Sequence, residues 1–192
     1  MSTISIRVAQ IEDAPQLLAI YAPYVRGTAV TFEGDVPSLE EFISRMKLVM
    51  TRYPYLVIEK DHKVVGYAYA TRFHPRCSYD WCVELSIYLD RNERHTGLGR
   101  LMYEKMELLL KKMGILNVYA CISSPEVEDE YLTKDSIGFH TALGYSLVGE
   151  FQKCGYKFNR WYHMVWMEKW IGAHTVPVEP VHAFEERMLK EI

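Results

Sequence analysis

Residues 81–120 read WCVELSIYLDRNERHTGLGRLMYEKMELLLKKMGILNVYA. Trp81 to Leu89 is apolar, β-branched or aromatic at most positions and predicts a strand, with Glu84 set inside it. Asp90-Arg-Asn-Glu93 ends the run with polar turn residues. Leu101, Met102, Met106, Leu109, Leu110 and Met113 then recur at near-helical spacing, while Glu104, Lys105, Glu107, Lys111 and Lys112 fill the other face. Gly114 stands where a left-handed cap is expected. Leu116 to Ile122 is a second apolar run. Two strands joined by one helix should be parallel neighbours.

The helix starts at Arg94-His-Thr-Gly-Leu-Gly-Arg100. The first amides of a helix have no internal partners, and its dipole favours negative charge there. Gly97 and Gly99 allow close approach, and Arg94, His95 and Arg100 add charge, so the turn is a natural pyrophosphate cradle. The Gly-x-x-x-x-Gly-Lys-Ser/Thr loop of nucleotide triphosphatases is missing. The Gly-x-Gly-x-x-Gly dinucleotide pattern is not matched either.

The pattern present is Arg-x-x-Gly-x-Gly at mid-chain, which resembles the acetyl-CoA loop of the GNAT N-acetyltransferase superfamily. Further segments follow the same order: Arg52-Tyr-Pro-Tyr-Leu-Val57, Gly66-Tyr-Ala-Tyr-Ala70, Tyr79-Asp-Trp81, Val83-Glu84, Thr96-Gly-Leu-Gly99, His140-Thr-Ala-Leu-Gly-Tyr145 and Gly155-Tyr-Lys157. Together they resemble the phosphinothricin / methionine sulfoximine N-acetyltransferase branch, from about Ile4 to Lys169. The resemblance implies an α/β GNAT fold: a mixed, mostly antiparallel central sheet, flanked by helices and splayed at the acetyl-CoA site. It implies acetyl-CoA as co-substrate, with Ile87, Tyr88 and Leu89 pairing with the pantetheine arm. Arg94, His95, Thr96, Gly97, Leu98, Gly99 and Arg100 would hold the phosphates, and Tyr145 would pack on the cofactor.

Acetyl transfer to an amine needs a base, because a free amine is mostly protonated at neutral pH. Glu84 is the candidate: an acid inside an apolar strand is costly unless paired or functional. A solvent-facing edge residue or an ion-pair partner is the bland alternative. Its place in Val83-Glu84 matches the carboxylate considered catalytic in the phosphinothricin branch. His140 is the candidate acid for the departing thiolate, since the branch has histidine where many GNAT enzymes have tyrosine; a core or surface histidine is the alternative. The resemblance points to an α-amino acid analogue as acceptor. Arg76 and Lys157 are cations for its carboxylate, with Arg72 nearby. Phe32, Phe73 and Tyr79 would wall its side chain, and Glu33 would hold its ammonium. Three features depart from the family: no asparagine between Ile122 and His140, Leu85 after the glutamate, and Asn159 where glycine is usual.

Around this centre, Ile4 to Ala9 alternates as a first strand, and Glu12-Asp-Ala-Pro15 opens a helix. Ser38-Leu-Glu-Glu41 is a capping box for a second helix, with Phe42, Ile43, Met46 and Met50 inward. Leu56–Lys60 and Lys63–Thr71 form a hairpin about Asp61-His62. After a long acidic loop, residues 123–135, come a short helix, 136–143, and a closing hairpin about Lys157-Phe-Asn-Arg160. The domain spans 1–170. Residues 171–192 are an extension whose end, Ala183 to Ile192, forms a short amphipathic helix through Phe184, Met188 and Ile192.

Of the 192 residues, 49% are hydrophobic and 24% charged, and the net charge is −3, a composition that fits one soluble globular domain. Without a basic tract, nucleic acid is not an expected partner. No apolar run reaches membrane-spanning length, so a membrane is not expected either, and no leader is visible in MSTISIRVAQ. Cys77, Cys82, Cys121 and Cys154 form no C-x-x-C pair, so no metal is expected, and they read as free, buried thiols of a cytoplasmic protein. Trp161, Tyr162, Trp166 and Trp170 suit either a homodimer interface or a core. Two other functions compete with amino acid acetylation. One is a GNAT acting on a polyamine, an antibiotic or a protein N-terminus; the other is an acetyl-CoA sensor that needs neither Glu84 nor His140.

Overall fold

The computed structural model describes residues 2–192. One sheet of seven strands runs in the order β1-β2-β3-β4-β5-β7-β6. The strands are β1 (Ile4–Val8), β2 (Tyr55–Lys60), β3 (Lys63–Arg72), β4 (Cys82–Leu89), β5 (Asn117–Ser124), β6 (Ser146–Lys157) and β7 (Arg160–Trp170). The α-helices are α1 (Ala14–Gly27), α2 (Leu39–Met50), α3 (Leu98–Lys112), α4 (Asp135–Ala142) and α5 (Arg187–Lys190). All neighbours are antiparallel except β4 and β5, as the helix between them requires.

The period-2 alternation of the strands divides the core. Val83, Leu85, Ile87 and Leu89 of β4 face α3, with Ala68 and Ala70 of β3, against Met102, Met106, Leu109 and Leu110. On the other face, Tyr55, Val57, Tyr67 and Tyr88 meet α1 and α2 through Leu17, Ile20, Tyr21, Phe42 and Met46. Both hairpins turn through two residues with positive φ: Asp61 and His62, then Phe158 and Asn159. Asn159 thus does the work of the expected glycine, since asparagine tolerates this conformation. Only half of the capping box forms: Ser38 Oγ accepts from Glu41 N at 3.1 Å, while the Glu41 carboxylate turns to Arg45.

β4 and β5 pair only where Cys82, Val83 and Glu84 face Asn117, Val118 and Tyr119. Beyond Glu84 the strands part. Asp90 N donates to Val65 O at 2.7 Å. Peptide groups alternate sides along a strand, so those of Leu89 and Ile87 point into the gap.

Residues 171–192 lie along the α3 side. Trp81 Nε1 donates to Glu179 O at 2.7 Å, and His182 N to Met113 O at 2.8 Å. Phe184, Met188, Leu189 and Ile192 pack on the α3 core. Helical structure is shorter than the spacing predicts, Arg187–Lys190 in place of 183–192, because Phe184 N donates to Arg52 O instead of starting a helix. The cysteines also depart from expectation: Cys77, Cys121 and Cys154 are exposed and Cys82 is half-buried, all as free thiols. Among the described residues, no helix is long and apolar enough to cross a membrane.

Candidate active site

A cavity of about 560 Å³ runs through the gap between β4 and β5. On the α1 side it is lined by Tyr24, Val30 and Tyr88, and on the α3 side by Tyr103, Phe139 and His140. Its long edges are Leu85–Leu89 of β4 and Ala120–Ser123 of β5. Tyr24 donates to Leu89 O at 2.7 Å, which fixes the far end of β4.

The mouth is the glycine turn. Arg94, His95, Thr96, Gly97, Gly99 and Arg100 all line the cavity. Gly97 is the N-cap of α3 with φ 85°, so the turn enters the helix through a conformation that side chains disfavour. The open amides of the first turn thus face the cavity rim, with Arg94 and Arg100 beside them, which fits a pyrophosphate. Leu98, included in the predicted cradle, turns the other way: its side chain is buried in the α3 core, since position 98 falls on the helix's inner face. Tyr145 is not in the lining either. It lies beneath the floor, packed on Tyr103 and His140, with Lys169 Nζ 5.8 Å from its ring centre.

Glu84 stands at the fork, opposite Tyr119. It is half-buried, and burial pushes its carboxyl up from the usual range. Its charge is felt by Tyr69 on one face and by Tyr103 on the other. A carboxylate moved toward neutrality beside a cavity is suited to take a proton from an amine. Cys121 opens onto the cavity on β5. Protein packed around its sulfur pushes the thiol up to about 12, with the Glu84 and Cys154 charges adding to it.

His140 is 4% exposed at the cavity floor. Its Nδ1 is 2.7 Å from Ser136 O, and its Nε2 is 2.8 Å from Tyr103 Oη. A carbonyl only accepts, so Nδ1 carries the proton in the neutral ring and Nε2 accepts from Tyr103. Burial pulls the imidazole below its usual value. Neutral His140 therefore has no free N–H to offer a sulfur, unlike the acid expected from the motif.

The predicted acceptor residues fall into two groups. Phe73 stacks on Tyr119 at 4.4 Å and meets the edge of Trp166 at 5.5 Å and Tyr79 at 6.0 Å. This aromatic wall adjoins Glu84 through Tyr119. Arg76 is exposed in the same loop, while Arg72 and Arg52 both bind Asp80, at 3.2 Å and 3.5 Å. The second group is the loop after α1. Phe32 stacks over Tyr162, and Lys157, 8% exposed, donates to Thr31 O at 2.7 Å. Glu33, expected to hold an ammonium, is instead bound by Arg45 and accepts from Tyr21 at 3.0 Å. The sequence points to Trp166 only as an interface or core residue and does not single out Tyr119. The parallel pairing of the two predicted strands was the signal that places Tyr119 beside Glu84.

Among the described residues, Lys157 ties the closing hairpin to this loop through a charged side chain, so its removal should be felt there. We expect Lys157→Met to lower stability by about 1–3 kcal/mol, through the lost bond to Thr31. The acceptor KM should rise while the acetyl-CoA KM holds. Equal KM values for the acceptor in both proteins would show that the loop does not border the acceptor.

The acetyltransferase (GNAT) domain family matches residues 6–166. Phosphinothricin N-acetyltransferase of Streptomyces viridochromogenes is 30% identical over 93% of this chain and 94% of its own. L-methionine sulfoximine/L-methionine sulfone acetyltransferase of Pseudomonas aeruginosa is 30% identical over 85% of this chain and 92% of its own. The crystal structure of a GNAT superfamily phosphinothricin acetyltransferase from Sinorhizobium meliloti in complex with acetyl-CoA superposes with TM-score 0.82, at 29% identity, covering 95% of both chains. The sheet that forks at Glu84, the glycine turn at its mouth and the family match over residues 6–166 lead to one assignment: the chain belongs to the GNAT family of N-acetyltransferases.

Proposed function

We propose that this enzyme acetylates the amino group of a small amino acid analogue of the phosphinothricin or methionine sulfoximine type, with Glu84 as general base. The observation that carries the reading is Glu84 at the fork, its carboxyl raised by burial, beside the cavity and the Phe73–Tyr119 wall. Names of the relatives support the acceptor class.

Acetyl-CoA supplies an activated thioester carbonyl when bound. Arg94, Arg100 and the first amides of α3 hold its phosphates at the mouth, and the peptide groups of Ile87 pair with its arm. Phe73, Tyr119 and Trp166 hold the apolar part of the acceptor, and Arg76 its carboxylate. Glu84 takes the amine proton, directly or through a water, and so frees the nitrogen lone pair.

Thiol release from acetyl-CoA should be followed with methionine sulfoximine, phosphinothricin, methionine sulfone and spermidine in parallel. Turnover with the amino acid analogues is the expected result. Turnover with spermidine alone would remove the acceptor assignment, and tight acetyl-CoA binding without any turnover would leave a sensor.

The same reading includes a homodimer. Leu147, Val148, Phe151 and Tyr156 of the edge strand β6 and Trp161 of β7 are all more than half exposed. An apolar edge of this kind is normally covered. Tyr162 is excluded from such a surface, since it is buried under Phe32, and Trp166 belongs to the acceptor wall. Trp161→Glu combined with Phe151→Glu should convert a dimer to a monomer in sedimentation velocity. A wild-type monomer at micromolar concentration would end the proposal.

A further inference from the structure

Tyr103 lines the cavity floor and holds His140. It projects from the second turn of α3 to the cavity floor and is 1% exposed. Its hydroxyl is 2.8 Å from His140 Nε2. Glu84 sits at the end of the β4–β5 pairing, next to Leu85 of the cavity lining, while Tyr103 and His140 line the cavity on the α3 face.

We propose that Tyr103 is the group that protonates the departing thiolate, with His140 as the proton source behind it. The inference rests on the acetyl-transfer reading above. In neutral His140 the Nδ1 proton is held by Ser136 O, and Tyr103 donates to Nε2. When His140 takes a second proton, at Nε2, that bond must reverse: Nε2–H donates and Tyr103 Oη accepts. Tyr103's own proton is then released from His140 and turns into the cavity. In the transfer the Tyr103 O–H bond breaks and an S–H bond forms at the thiolate. At the same time His140 Nε2–H breaks and a new Tyr103 O–H forms. The charges balance: thiolate and imidazolium become thiol and neutral imidazole. Tyr103 ends as it began, and solvent recharges His140 between turnovers. The arrangement in the structure is the state left after donation.

A tyrosine acting alone would have to become a buried tyrosinate, and burial raises the Tyr103 phenol, with the Glu107 and Glu84 charges adding to it. The relay avoids that anion. Other ionisable groups around the pair are Tyr145, whose ring centre is 5.2 Å from that of His140, and Glu107, held at 2.6 Å by Lys169. Asp135 opens α4 itself. None of these touches His140 Nε2 among the described hydrogen bonds, so Tyr103 is its one outlet to the cavity.

The test is Tyr103→Phe, which keeps the ring and removes the oxygen. We expect kcat to fall by about 100-fold, a magnitude typical of losing acid catalysis, with the acetyl-CoA Kd unchanged. In wild type kcat should decline as pH rises through the lowered His140 pKa, below the usual imidazole value, and that decline should vanish in the variant. A second readout needs no turnover: the His140 ring titrated by NMR in the protein without acetyl-CoA. Losing the charge-assisted bond should lower its pKa by about one unit. His140→Gln guards against a misfolded variant: it should lose as much kcat as Tyr103→Phe, and the double variant should be no slower than either. An unchanged kcat, a decline through the His140 pKa that persists in the variant, or additive losses would overturn the relay. So would the NMR shift in an enzyme that never turns over, and that last result would reject the acetyl-transfer reading as well.

Discussion

Glu84→Gln is expected to lower kcat by about 10²–10⁴-fold while leaving the acetyl-CoA Kd unchanged. The substitution is isosteric, so neither the fork nor the wall at Tyr119 is disturbed. Its pH dependence separates a base from a spacer. Burial raises the Glu84 carboxyl above its unfolded value, so wild-type kcat should climb as pH rises through that raised pKa, and the limb should be absent in the variant. Stability should respond with the opposite sense. A carboxyl raised in the folded state contributes stability that is present below its unfolded pKa and lost as pH rises through the folded one. Glu84→Gln should therefore gain on wild type in melting temperature as pH rises through the raised Glu84 pKa. Rate profiles and thermal melts check both. A variant with wild-type kcat sinks the assignment of the base, and parallel melting curves sink the burial argument.

The second large effect is expected from a residue remote from the chemistry. Gly66 of β3 faces Leu89 at the far end of β4. The alternation that turns Leu89 into the gap makes this a pair without mutual hydrogen bonds, in which the chains approach most closely. A Cβ at Gly66 would come within 3.0 Å of Tyr88 O and 3.2 Å of Ile58 Cγ2, and would overlap the Leu89 side chain. Leu89 can swing aside, but the Tyr88 carbonyl is backbone and cannot. Gly66→Val should therefore cost about 1–3 kcal/mol by overpacking. It should also push the Ile87–Leu89 edge into the cavity and weaken acetyl-CoA binding by about 10-fold or more, since small displacements of a site are amplified. Urea unfolding and calorimetric titration measure the two effects. A stability loss with unchanged acetyl-CoA affinity would show that this edge does not carry the cofactor.

Much of this architecture was legible because it is local. The spacing of Met102, Met106 and Leu109 and the glycine pair before them specify a helix with a free N-terminus, and the structure places both as read. What was not legible depends on partners far along the chain. Nothing near Glu33 announces Arg45 and Tyr21, which occupy both of its oxygens. Nothing in His-Thr-Ala-Leu-Gly-Tyr shows that Tyr103 holds the histidine from another helix and that Tyr145 lies beneath the floor. Leu98 lay in a loop motif by sequence and in the core by geometry, because the helix begins on that residue. In the acidic loop after β5, Asp129 accepts from Tyr131 N and Leu132 N and brings Leu132 to the cavity wall.

The short pairing of β4 with β5 also has a mechanical meaning. Four strands form one wing and three the other, and Cys82–Glu84 is the hinge between them. From Glu84 to Leu89 the lever is roughly 17 Å long at the usual rise of a strand. An opening of about 5° at the hinge thus moves the tip by about 1.5 Å, a displacement of the size that decides whether reacting atoms meet. Asn117 clamps the hinge from β5 and is itself gripped by His174 at 2.8 Å. The last stretch of the chain is in this sense the trimming screw of the fork: substitutions there would tune the angle of the wings without touching either ligand.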